Sequence, residues 1–123
     1  MRDARKRLGR AGESIAADYL RRRGYTILEM NYRRPVGEMD IVARDGEWLA
    51  FVEVRTRRGR AFGTPEESIT PAKQQKLIEL AQTYLQEHEL SDVPWRIDVV
   101  AVEMDRQGKL QRINLIENAV VAF

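Results

Sequence analysis

The chain has 123 residues, 43% of them hydrophobic and 33% charged, with a net charge of +2, which suits one domain with one core and is not the composition of a disordered chain. It contains no cysteine, which excludes disulfides and Cys-ligated zinc or iron–sulfur centres and agrees with a cytoplasmic location. No apolar run approaches the roughly 20 residues that span a bilayer, and the basic start (Arg2, Arg5, Lys6, Arg7, Arg10) lacks the apolar stretch of a secretory signal.

In chain order, residues 1–8 form a basic N-terminal arm, expected to be flexible, that precedes a helix over about 9–23. Leu8, Ala11, Ile15, Ala16, Tyr19 and Leu20 recur at helical spacing, and Gly24 stops the helix. Residues 25–32 read as a strand. Residues 38–43 and 48–54 read as two more, joined through Arg44-Asp45-Gly46-Glu47, where Asp-Gly signals a hairpin. Both carry apolar residues on alternate and intervening positions, which predicts a sheet covered on two sides. Residues 57–68 read as a basic, glycine-containing loop. Thr70-Pro71 then opens a helix to about residue 89, with Thr70 as N-cap and Pro71 at the first helical position. Strands over 95–102 and 112–117 follow, giving the order αβββαββ, an α/β class with a mixed sheet of about five strands flanked by helices. Asp98 reads as an alternating surface residue, and the apolar end over 119–123 as packed on the chain's own core.

Acids inside apolar strands need a partner, because an unpaired buried carboxylate costs several kcal/mol. Asp40, in Gly37-Glu38-Met39-Asp40-Ile41-Val42, and Glu53, in Phe51-Val52-Glu53-Val54-Arg55, are such residues. If the hairpin turns on Asp45-Gly46, Asp40 lies opposite Phe51, Glu38 lies opposite Glu53, and Asp40 and Glu53 project from one face as diagonal neighbours. Two carboxylates so placed can share a divalent ion, and an oxygen set suits Mg²⁺ or Mn²⁺. Such an ion polarises a phosphodiester and activates water. Arg55, on the same face, can steady negative charge on phosphate but cannot act as a base. A salt bridge of the two acids to Arg55 or Arg33, with no metal, is the competing reading. Glu38 itself reads as a turn or edge residue. The basic residues cluster at 2–10, 21–23, 33–34 and 55–60, so Arg33, Arg34, Arg57, Arg58 and Arg60 are candidate contacts to a phosphate backbone. Lys73 is a further candidate, although Lys73 and Lys76 also fit the exposed side of an amphipathic helix.

Asp40 followed by Glu53-Val54-Arg55, after a helix carrying Glu13, resembles the PD-(D/E)XK nuclease superfamily, above all its Holliday-junction-resolvase-like members. Gly12-Glu13, Ala16-Ala17 and Tyr19-Leu20, then residues 37–43, 51–57 and Ile69-Thr70-Pro71-Ala72-Lys73, resemble the bacterial YraN-like family over about residues 9–118. The resemblance implies a restriction-endonuclease-like core and a metal-dependent endonuclease acting on DNA, structure-selective rather than sequence-selective, with branched DNA as a substrate class and a homodimer as the assembly. It implies that Asp40 and Glu53 hold Mg²⁺ or Mn²⁺ with the Val54 carbonyl, that Glu13 completes the cluster, and that Arg55 stands where the superfamily places lysine. Glu13 taken alone is also explained as a first-turn acid on a helix dipole. The arginine leaves a second reading open, a catalytically inactive nucleic-acid-binding module on the same fold.

Overall fold

The computed structural model describes residues 2–59 and 63–120, with side chains from Lys6 onward. The elements run α1 (Arg2–Arg22), β1 (Thr26–Arg34), β2 (Gly37–Asp45), β3 (Trp48–Arg58), a short 3₁₀ turn (Glu66–Ser68), α2 (Pro71–Glu87), β4 (Trp95–Met104) and β5 (Leu110–Val120). The order is the expected αβββαββ. Helix α1 begins at Arg2, so residues 2–8 continue the helix instead of forming a separate arm.

Both predicted helix boundaries rest on visible local chemistry. Gly24, at φ +93°, receives the chain in the left-handed region, while its N–H bonds to the Arg21 carbonyl and that of Tyr25 to the Leu20 carbonyl, both at 3.0 Å. That pair of bonds closes a helix end, and the buried Tyr25 and Leu20 side chains share one core. At the start of α2 the Thr70 hydroxyl accepts the Lys73 N–H at 3.2 Å, with Pro71 at the first position.

The five strands lie in sequence order across one sheet. Neighbours are antiparallel except β3 and β4, which are parallel and joined by α2, the crossover that a parallel pair requires. Helix α1 covers one face over Ile41, Ala43, Ala50, Val52, Val100 and Val102. Helix α2 covers the other, packing Leu77, Leu80 and Tyr84 with Val42, Phe51 and Ile97. The two-sided burial predicted for β2 and β3 follows from this sandwich.

The structure corrects three further expectations. Asp45 pairs with Trp48, so the hairpin turns on Gly46-Glu47 and not on Asp45-Gly46. Only Gly46 of these two has positive φ, at +61°, the pattern of a two-residue turn with glycine first. Arg57 and Arg58 belong to the end of β3, not to the following loop. Asp98 is fully buried, because β4 is an inner strand with a helix on each face and alternation there does not lead to solvent. Its carboxylate accepts Arg96 Nε at 3.0 Å, the Asn118 N–H at 2.9 Å and the Tyr25 hydroxyl at 3.3 Å. At the C-terminal end Val120 is buried, while residues 121–123 lie outside the described residues.

Candidate functional site

The floor of the site forms where β2 and β3 part. Their ladder is regular from Asp45↔Trp48 to Ile41↔Val52, and continuing it sets Asp40 opposite Glu53, two residues from the pairing expected for a turn at Asp45-Gly46. A shift of two preserves parity, so the convergence of the two acids survives the error in register. The alternation of β2 then slips at Asp40: Met39 and Val42 both enter the core under α2, while Ile41 and Ala43 enter the core under α1. Strand β1 adjusts beside this point, where Asn31 takes φ +55°. The Asp40 carboxylate accepts the Val54 N–H at 2.7 Å, bridging with a side chain the gap between the two strands.

Around Asp40 the charge is negative. Its carboxyl is pushed up to about 9, first by burial, then by the charge of Glu53 and a hydrogen bond to it; the Val54 N–H pulls the other way and Glu13 adds to the rise. Glu53, the acid beside it, is 2% exposed. On the other side, oxygens of Asp40, Glu13 and Glu38 lie within 4.8 Å of one another. Glu13 reaches this point because α1 lies very close to β3 at Gly12: a Cβ built on Gly12 falls 1.9 Å from Thr56 Oγ1. A glycine is required there by that approach, not by its φ.

The cations are distributed unevenly. Lys73 Nζ lies 3.3 Å from Glu53 Oε2 and Arg55 Nη1 3.7 Å from the same oxygen. The Lys73 side chain is thus partly covered and turned into the site. Arg55 also donates to the Ser68 carbonyl at 3.1 Å. Arg33 pairs with Glu38 at 3.2 Å. Above the acids opens a cleft of about 1100 Å³ whose lining includes Lys6, Arg10, Arg33, Arg55, Arg57 and Arg58. Arg34 points elsewhere: it binds Glu87 at 2.7 Å and covers the ring of Tyr32. Arg60 lies outside the described residues.

The structure thus brings together Asp40, Glu53, Glu13 and Arg55, with Lys73 on Glu53, while Val54 meets Asp40 through its N–H and not through the carbonyl expected as a ligand. It adds Glu38 and Asn31, which the sequence reading did not assign. Glu38 carried one signal, the Glu-x-Asp spacing ahead of the hairpin; Asn31 carried none beyond lying between Met30 and Tyr32 in a predicted strand. The donor set is entirely carboxylate oxygen on the cation side, which suits Mg²⁺ or Mn²⁺. A divalent ion among these oxygens would supply the positive charge that is missing beside Asp40.

The αβββαββ order, with the acids on the β2–β3 hairpin and a third acid delivered by α1, is that of a mixed α/β core consistent with a restriction-endonuclease-like fold. The sequence signature of the Uncharacterised protein family UPF0102 matches residues 12–102, and the chain belongs to that family, the YraN-like family indicated by its motifs. It is 47% identical over 116 residues to a UPF0102 protein of Dehalococcoides mccartyi, covering 94% of each chain. It is 50% identical over 121 residues to one of Roseiflexus castenholzii, covering 98% of each, and 49% identical over 114 residues to one of Symbiobacterium thermophilum, covering 93% of this chain and 96% of that one. Among the described residues no helix is long and apolar enough to cross a membrane.

Proposed function

We propose that this chain is a Mg²⁺- or Mn²⁺-dependent endonuclease that hydrolyses phosphodiesters in DNA, with branched or otherwise structured DNA as its substrate class. The observation that carries the reading is Asp40, half-buried among Glu53, Glu13 and Glu38 at the floor of a cleft whose rim is basic. Asp40, Glu53, Glu13 and Glu38 would hold the ion, which when bound supplies Lewis-acid polarisation of a phosphoryl oxygen and a water of lowered pKa. The chain's own residues do the rest. Lys6, Arg10, Arg33, Arg57 and Arg58 draw the phosphate backbone over the acids and orient it. Arg55, steadied by the Ser68 carbonyl, keeps a guanidinium beside the acids for the charge that grows on phosphate. Lys73 holds the Glu53 carboxylate in place.

The test is incubation of the purified chain with branched, single-stranded and duplex DNA in Mg²⁺ or Mn²⁺. The expected result is cleavage that disappears in Asp40→Ala and Glu53→Ala; equal cleavage by those variants overturns the proposal. One observation favours the second reading, an inactive nucleic-acid-binding module: Lys73 and Arg55 both lie on Glu53 and balance it without an ion. That reading expects DNA binding with a steep salt dependence and no calorimetric signal for Mn²⁺.

A further inference from the structure

We infer that Asn31 is a positioning residue that presets Glu13 and Glu38 as a pair of ligands, an inference that rests on the metal-site reading above. The Asn31 Nδ2 group donates to Glu13 Oε1 at 2.6 Å and to Glu38 Oε1 at 2.7 Å. Glu13 comes from α1 and Glu38 from the start of β2, so this one amide links two elements that share no backbone hydrogen bond at that point. A primary amide has two N–H groups on one nitrogen, and both are spent on carboxylates.

The chemistry of the linker decides what it is for. A lysine or arginine between two carboxylates would hold them together by neutralising them. An amide is uncharged: it draws the two Oε1 atoms to one point and adds no positive charge of its own. The Arg33 guanidinium that pairs with Glu38 does so at the other oxygen and is largely exposed. With Asp40 these oxygens lie within 4.8 Å of one another, a spacing that like charges oppose. Outer hydrogen-bond partners of metal ligands orient them in this way, and their loss typically lowers metal affinity about 10–100-fold.

The backbone supports the assignment. Asn31 sits inside β1 at φ +55°, in the left-handed region that asparagine tolerates better than most residues with a side chain. Glycine satisfies that conformation but brings no donor. Aspartate satisfies it but adds a further acid. Glutamine brings the donor on a longer arm and fits the conformation poorly. Strained backbone of this kind clusters at functional sites, and here the strain coincides with the two-carboxylate contact and with the slip in β2 beside Asp40.

The experiment measures Mn²⁺ affinity by calorimetry and melting in EDTA for the wild type, Asn31→Gly and Asn31→Asp. Asn31→Gly keeps the left-handed backbone and removes the amide: it is expected to melt within a few degrees of the wild type in EDTA and to bind Mn²⁺ at least tenfold more weakly. Asn31→Asp replaces two donors by acceptors and is expected to melt well below Asn31→Gly in EDTA. Wild-type affinity retained in Asn31→Gly, or an Asn31→Asp protein that melts with the wild type in EDTA, overturns the role of Asn31 while leaving the metal site standing. A wild type that takes up no Mn²⁺ overturns both.

Discussion

Asp98 on β4 and Asp40 on β2 are both carried into the same sheet, and their surroundings have opposite sign. Asp98 is fully buried and faces a guanidinium, a phenol and a backbone N–H. Burial raises its carboxyl while Asn118 and Arg96 pull it back, and Arg96 continues the network to Asp45 at 2.8 Å. Asp40 is less buried, yet it has one backbone donor, and the charges acting on it are Glu53 and Glu13. The first acid is complete within the chain and ties β4 to Tyr25 just ahead of β1, to β5 and, through Arg96, to β2. The second is short of positive charge, as expected of a group whose partner comes from outside. Burial of an acid therefore does not separate the two; the sign of what surrounds each does.

The sharpest way to break this contrast is to remove each aspartate in turn. Asp98→Ala leaves Arg96 with Asp45 as its one carboxylate in this network, beside the Tyr25 hydroxyl, and the Asn118 N–H without its acceptor, and should lower unfolding stability by about 3–5 kcal/mol; urea denaturation within 1 kcal/mol of the wild type would show that the network is not structural. Gly12→Ala drives a methyl into Thr56 and should destabilise by about 2 kcal/mol, the usual scale of overpacking, with weaker Mn²⁺ binding because Glu13 moves with α1. Thr56→Ala added to Gly12→Ala removes the Oγ1 contact but keeps a Cβ at 3.0 Å, and should restore part of both; restoration of stability without Mn²⁺ affinity would separate the packing from the site.

Asp40→Asn should act in the opposite direction from Asp98→Ala. Asparagine imitates the protonated acid: it still accepts from Val54 and can donate to Glu53. In the unfolded chain Asp40 ionises near 3.8, whereas in the fold it holds its proton up to about 9. The native state thus binds the extra proton between those values, and metal-free stability falls as pH rises through that window. Asp40→Asn should lack this fall and be more stable than the wild type at pH 8 in EDTA by at least about 1 kcal/mol, the order of one uncompensated polar group, while losing Mn²⁺ binding. Parallel pH–stability curves for the two proteins would remove the charge argument. The smallest effect is expected of Lys73→Met, which takes the nearer cation from Glu53. The ammonium is partly exposed, so the metal-free loss should be below about 1 kcal/mol, and Mn²⁺ should restore it; a melting curve unchanged in EDTA would show that Lys73 does not hold Glu53.

Much of the fold could be read from local chemistry. Gly24 and Thr70-Pro71 state where the helices stop and start, because caps involve residues close in sequence. The apolar strands with Asp40 and Glu53 announced both a covered sheet and a pair of acids in need of a partner. The hairpin register was misread by two positions because Asp45-Gly46 and Gly46-Glu47 are both plausible turn centres, and only the pairing of Asp45 with Trp48, with Asp45 outside the positive-φ region that an Asp-Gly turn needs, separates them. Glu38 and Asn31 were not read as site residues for a related reason. Their positions depend on a slip in β2 and a left-handed residue in β1, which strict alternation does not contain.

The sequence by itself determined the element order, the two amphipathic helices, the two-sided sheet and the meeting of Asp40 with Glu53, since each depends on periodicity and parity within short segments. Tertiary structure alone decided that β4 lies inside the sheet and buries Asp98, that Gly12 allows α1 onto Thr56 and so delivers Glu13, and that Asn31 gathers Glu13 with Glu38. Those outcomes depend on which faces are covered and how closely elements approach. Such distances are set by packing between segments far apart in the chain, and no local pattern carries them.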